Sequence, residues 1–113
     1  MRIANADQAI IDAAKLRDYL LSATDPVGRF KARFFTGLGF DQTRWPELGD
    51  ALRRQHLTQD AQPGGRTSVG EKFTIRAIRN GPNGRSAVVL SVWFVAAGDG
   101  RPRFVTAYPG DAR

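Results

Sequence analysis

Residues 71–109, EKFTIRAIRNGPNGRSAVVLSVWFVAAGDGRPRFVTAYP, read as three antiparallel strands joined by two turns. From Lys72 the chain alternates. Phe73, Ile75 and Ala77 point one way and Lys72, Thr74 and Arg76 the other, the period-2 pattern of a half-buried strand. Asn80-Gly81-Pro82-Asn83-Gly84 interrupts it with residues suited to positive φ and tight turning. Ser86 to Ala97 is apolar on both faces and reads as the central strand. Gly98-Asp99-Gly100 turns the chain once more, and residues 103–108 return. The predicted strands are 72–79, 85–96 and 103–108, with basic residues on an open face that would suit an anion.

Working outward, the first 57 residues read as helical. Leu16, Tyr19 and Leu20 form an i, i+3, i+4 stripe over 13–22, behind Asp12 as N-cap and a lead-in or short strand at Ala9-Ile10-Ile11. Asp25-Pro26-Val27-Gly28 is a loop. A helix over 29–38 carries Phe30, Phe34, Phe35 and Leu38 inward and ends near Gly39. A third helix, 45–57, has Trp45, Leu48 and Leu52 at helical spacing, with Pro46 tolerable in its first turn. The polar, Gly- and Pro-rich residues 58–70 form a loop between helices and sheet.

Helices followed by an antiparallel sheet make an α+β fold, N-terminal helices packed on a three-strand meander with room for a fourth short strand. At 113 residues it is one domain: a helical part 9–57, a loop 58–70 and a sheet 71–109. The expected core is Leu16, Leu20, Phe30, Phe34, Leu48, Leu52, Ile75, Val88, Leu90, Val92 and Phe104.

Composition narrows the chemistry. With no cysteine there is no disulfide, thiolate metal site or cysteine nucleophile. No apolar run approaches the roughly 20 residues that span a bilayer, and Asp7 and Asp12 do not suit a signal peptide. A cytoplasmic site of action is expected, with delivery by secretion open if the domain belongs to a toxin system. The formal charge is +6. Residues 61–113 hold eight Lys/Arg against Glu71, Asp99 and Asp111, a net of +5, whereas residues 1–60 hold nine against eight, a net of +1. Such asymmetry attracts polyanions. A composition biased toward arginine for solubility alone is the plainer explanation.

Several groups are candidates for chemistry. Arg29 and Arg33 share a helix face near its N-terminus, where unpaired N–H groups favour phosphate; the alternative is a solvated face over an aromatic core. His56 is the only histidine, so imidazole acid–base chemistry must use it, although a histidine at a helix end is commonly a cap. Arg85 follows the Asn83-Gly84 turn, and Arg76, Arg79 and Arg103 belong to neighbouring strands. Thr106 and Tyr108 share a face of the last strand; if Phe104 and Tyr108 face the core, Thr106 is buried with them. There is no nucleotide-binding glycine motif, no serine-hydrolase elbow and no zinc spacing. No cofactor and no metal are expected.

Lys15-Leu16-x-x-Tyr19-Leu20-Leu21-Ser22, Pro26-Val27-Gly28-Arg29-x-Lys31-Ala32-x-Phe34-Phe35, Gly81-Pro82-Asn83-Gly84-Arg85 and Arg103-x-Val105-Thr106-Ala107-Tyr108-Pro109 together resemble an uncharacterised bacterial family. Its members occur as stand-alone proteins and as C-terminal domains of secreted polymorphic toxins. The layout is similar to the barnase–EndoU–colicin–RelE group of ribonuclease toxins. The resemblance carries over Lys31, Arg29, Arg85, Thr106 and Tyr108. It carries no histidine at position 25, where the family pattern commonly has one and this chain has Asp25.

What this implies is a toxin-like, metal-independent ribonuclease acting on RNA phosphodiesters. Arg85 with Arg29 or Lys31 would neutralise the phosphate, His56 or Asp25 would move a proton, and Thr106 would orient the phosphate. Arg76, Arg103 and Tyr108 would hold the substrate. A cognate antitoxin or immunity protein is the expected protein partner. The rival reading is a non-catalytic module of such a two-gene system, binding protein or nucleic acid.

Overall fold

The computed structural model of the protein describes residues 2–22, 24–26 and 28–110. Val27 of the predicted loop and Asp111 lie outside the described residues. The helical half consists of a 3₁₀ turn Ala6–Gln8, α1 (Ala13–Lys15) running into a π-helical segment Leu16–Leu20, α2 (Gly28–Gly37), a 3₁₀ turn Gln42–Arg44 and α3 (Pro46–Gln55). The strands are β1 (Gln62–Thr67), β2 (Gly70–Asn80), β3 (Ser86–Ala96) and β4 (Pro102–Pro109). They form one antiparallel sheet in the order β1-β2-β3-β4. The α+β architecture is as the pattern predicts, with β3 hydrogen-bonded on both sides.

One local difference has a clear cause. The segment expected as a loop over 58–70 contains β1, because Thr67↔Gly70 closes a tight hairpin onto β2. Its residues are all exposed and interrupted by a register shift between Pro63 and Gly65, so it carries no hydrophobic period to read. Asp12 holds the N-cap position of α1 without a side-chain cap bond. Ile10 bridges Arg103 in parallel, donating from its backbone to Pro102 and accepting from Phe104. This lead-in covers part of the outer edge of β4.

The core lies between the helices and one face of the sheet. Leu16, Leu20, Phe35, Leu48 and Leu52 meet Ile75, Val89, Trp93, Phe104 and Ala107. Trp93 and Phe104, paired across β3 and β4, stack edge to face with centroids 5.3 Å apart. The expected core residues Val88 and Leu90 are only half-buried, and Val92, though enclosed, lies with them in register on the opposite face. β3 is apolar on both faces, so alternation alone does not say which face meets the helices. Phe30 is also a correction: it is 64% exposed. The buried positions of α2 are Gly28, Ala32 and Phe35, and Phe30 lies nearly opposite them on a wheel of about 3.6 residues per turn.

Gly39 ends α2 as expected, at φ 98°, with Gly39 N–H donating to Thr36 O and Phe40 N–H to Phe35 O. The β2–β3 turn then seats on this end of the helix. Asn83 Nδ2 donates to Gly37 O at 3.0 Å, and Gly81 packs so closely on the Leu38 carbonyl that a Cβ would collide with it.

Candidate functional site

The entry to α2 is built by short-range polar contacts. Ser22 Oγ accepts from the backbone N–H groups of Thr24 and Asp25, and Asp25 Oδ1 accepts from Gly28 N at 2.7 Å. Asp25 thus caps the helix, a structural reason for a carboxylate at this position. Gly28 lies against the Tyr19 backbone carbonyl, where any side chain would clash. This close approach sets α2 against the π-helical segment and brings Lys31 to Tyr19.

Lys31 Nζ donates to Tyr19 Oη at 2.6 Å and to Thr106 Oγ1 at 3.1 Å. The ammonium also lies 5.0 Å from the Tyr19 ring centroid. Three elements, the π-helical segment, α2 and β4, therefore converge on one cation. Among the described residues no carboxylate pairs with it. A half-buried ammonium held by two hydroxyl groups and an aromatic ring is a point charge ready for an anionic ligand.

A bulge decides where Thr106 and Tyr108 go. Trp93 pairs with Phe104 but Val92 pairs with Thr106, so Val105 is the extra residue. Phe104 and Ala107 face the core, whereas Thr106 and Tyr108 take the register positions of Val92 and Leu90 on the uncovered face. Period 2 taken straight through this strand would bury Thr106 with Phe104. Tyr108 is half-buried, and across β3 from it lies Arg76, whose guanidinium donates to Gly110 O at 2.8 Å. Arg103 occupies the same open face at the other end of β4, 3.6 Å from Asp99. This pair is exposed and adds little to stability.

Other expected members stand apart. His56 C-caps α3 but has no exposed surface, with Nδ1 2.9 Å from Ser91 Oγ. Burial pushes its pKa down to about 3, the charge of Arg79 pushes the same way, and the Ile75 backbone opposes weakly. A neutral imidazole sealed in the core cannot exchange a proton with a polynucleotide, so the proton-transfer role expected of His56 is withdrawn. Arg85 lies at the β2–β3 turn, exposed, with its backbone N–H on Asn83 Oδ1. It is seven residues along the chain from Val92, the partner of Thr106, or about 23 Å at strand rise. Arg85 therefore does not join Lys31. Arg29 sits on the exposed side of α2, its guanidinium 4.8 Å from the Phe30 ring.

Arg79 also leaves the expected set of strand cations. It has the parity of Phe73, Ile75 and Ala77, and is fully buried under Phe40, 5.7 Å from that ring's centroid. Burial lowers its pKa to about 10, so it stays charged at neutral pH. Tyr19 is the site residue that sequence reasoning missed. Its place in the quoted Lys15–Ser22 motif was the available signal, but its apolar ring at helical spacing reads first as core.

Among the described residues no three His, Asp or Glu side chains converge as a metal site requires. No helix among them is long and apolar enough to cross a membrane. No curated protein and no solved structure matches the chain. Residues 2–111, nearly its whole length, do match the family described as a domain of unknown function (DUF6883), and the protein belongs to that family.

Proposed function

We propose that this domain binds RNA and cleaves its phosphodiester backbone without a metal ion, in the manner of a ribonuclease toxin. The observation that supports this best is the ammonium of Lys31 between the hydroxyls of Tyr19 and Thr106, at the border of a basic sheet face. In this reading the RNA 2′-oxygen attacks the adjacent phosphorus and the P–O5′ bond breaks. The products are a 2′,3′-cyclic phosphate and a 5′-hydroxyl. Lys31 neutralises charge on the non-bridging oxygens as the phosphorane develops, and Thr106 Oγ orients one of them. Tyr19 Oη already accepts from Lys31, so its own proton is available to the departing 5′-oxygen. Of the two groups expected to move a proton, His56 is enclosed, and in this reading Asp25, whose Oδ1 caps α2, takes the proton of the 2′-hydroxyl.

The enclosure of His56 favours one alternative, a non-catalytic RNA- or protein-binding component of a toxin–antitoxin or immunity pair. One experiment separates the two. Purified protein is incubated with RNA in EDTA and the product ends are analysed. Cleavage giving 2′,3′-cyclic phosphate that falls about 100-fold or more in Lys31→Met, with the fold unchanged by circular dichroism, supports catalysis at this site. RNA binding without cleavage supports the alternative. Cleavage indifferent to Lys31 and Tyr19 refutes the site.

A further inference from the structure

The uncovered face of the sheet carries a pattern beyond its charge. Three cross-strand rows run over β2, β3 and β4: Lys72–Phe94–Arg103, Thr74–Val92–Thr106 and Arg76–Leu90–Tyr108. The two outer rows each combine one aromatic ring with basic side chains, two in the first and one in the second. No carboxylate occupies the register positions of this face on any strand. Asp99, in the turn before β4, lies 3.6 Å from Arg103.

Phe94 is held in an unusual way. A Cβ at Gly70, one pair along on β2, would collide with the tip of the Phe94 ring and with the Val95 carbonyl. The ring therefore lies down along the sheet into the space left by Gly70 and does not stand up from it. It is half-exposed and makes no aromatic pair with another side chain among the described residues. Beside it the Lys72 stem rests over Gly64 of β1, 3.4 Å from where a Cβ there would stand. A ring laid flat in a row between Lys72 and Arg103 is a place for a planar, electron-rich group attached to an anion. A nucleotide base with its phosphates has that chemistry.

We propose that this face is the binding platform for an unpaired RNA strand, with one base stacked on Phe94, a second on Tyr108, and the backbone following Lys72, Arg103 and Arg76. The inference rests on the RNA reading given above and specifies the form of RNA taken. The two rings are four residues apart along the strands, or about 13 Å at strand rise, so the two stacked bases are not adjacent and the nucleotide between them spans the middle row. Paired RNA keeps its bases stacked on one another and offers the sheet only phosphates and sugar edges. The platform is sequence-tolerant, because every base has a π-face.

The test uses the full chain and 2′-O-methyl RNA, which cannot be cleaved by its own 2′-oxygen. Fluorescence anisotropy compares an unpaired 12-nucleotide strand with the same strand in a duplex. The unpaired strand should bind at least tenfold more tightly. Phe94→Leu, which keeps an apolar side chain over Gly70, should weaken binding of the unpaired strand about tenfold or more and leave duplex binding unchanged. With Lys72 and Arg103 both changed to Gln, the slope of log K against log salt should become shallower by about 1.4, since each single-strand phosphate neutralised contributes about 0.7. Equal binding of both forms, or an unpaired-strand affinity indifferent to Phe94, overturns the platform. If EDTA-resistant, Lys31-dependent cleavage persists in that case, the RNA reading survives without it. Absence of both RNA binding and cleavage removes both proposals, and binding of a protein that needs Phe94 while RNA is ignored assigns the face to a protein partner and overturns this inference.

Discussion

His56 Nδ1 and Ser91 Oγ lie 2.9 Å apart, joining the end of α3 to the middle of β3 inside the core. Trp93 Nε1 donates to the same hydroxyl at 2.8 Å. Which of Ser91 Oγ and His56 Nδ1 donates is set by the imidazole tautomer. Trp93 Nε1, Ser91 Oγ and His56 Nδ1 are joined in one chain across a region otherwise lined by apolar side chains, while His56 Nε2 has no hydrogen-bond partner among the described residues.

Ser91→Ala should therefore cost about 1–3 kcal/mol, because it strands the Trp93 N–H and His56 Nδ1 together. Urea unfolding followed by Trp fluorescence measures it. A loss below about 0.5 kcal/mol would mean that neither group depends on Ser91.

The same histidine makes stability fall in acid. Its pKa is about 3 folded and near 6.5 unfolded, so between these values the unfolded chain binds a proton that the folded chain does not. The contribution is present in full above pH 6.5 and is lost as pH drops toward 3, at about 1.4 kcal/mol per pH unit. Asp18, Asp41 and Asp99, whose pKa values are lowered by Arg17, Thr43 and Arg101, begin to contribute only near the carboxylate range. Unfolding free energies measured at pH 7 and pH 5 should thus differ in the native protein, and much less in His56→Gln.

Arg79→Met should raise stability or leave it unchanged, in contrast to most core substitutions. The guanidinium nitrogens have no hydrogen-bond partner among the described residues, and an apolar chain of similar length removes a buried charge. Loss of that charge should also raise the pKa of His56, narrowing the pH range over which acid destabilises the protein. Thermal unfolding of the variant at two pH values checks both effects. A drop in Tm of several degrees at neutral pH would show that Arg79 has a stabilising partner.

Ile75→Ala should cost about 2–5 kcal/mol, as usual for a large side chain removed from a closed core. Leu90→Ala should cost distinctly less, because Leu90 is half-buried on the uncovered face. Equal losses would contradict the assignment of the two sheet faces.

Most of the fold was legible in the sequence because its signals are local and periodic. Phe73, Ile75 and Ala77 mark the inner face of β2, and the turns at Asn80–Gly84 and Gly98–Gly100 delimit the strands. β1 was hidden because Gln62–Thr67 owes its conformation to pairing with β2, not to any pattern of its own. Phe30 and Arg79 misled in complementary ways: residue type argued for burial of the first and exposure of the second, while helix and strand geometry decided otherwise. Of the candidate site, Lys31 and Thr106 were legible through their motifs and prove to touch. His56 and Arg85 were chosen for their chemistry, and only tertiary packing tells that one is sealed and the other remote.

The extra residue in β4 has a consequence for how this strand tolerates change. Because Val105 is counted but not paired, the inward positions of the strand are Pro102 and Phe104 before it and Ala107 and Pro109 after it. Deleting Val105 would leave Phe104, Thr106 and Ala107 facing as they do, because the strand would then alternate without a bulge. The same loss in an unbulged strand such as β3 would turn every side chain beyond it to the other face. The bulge gives β4 one residue that it can lose without turning over.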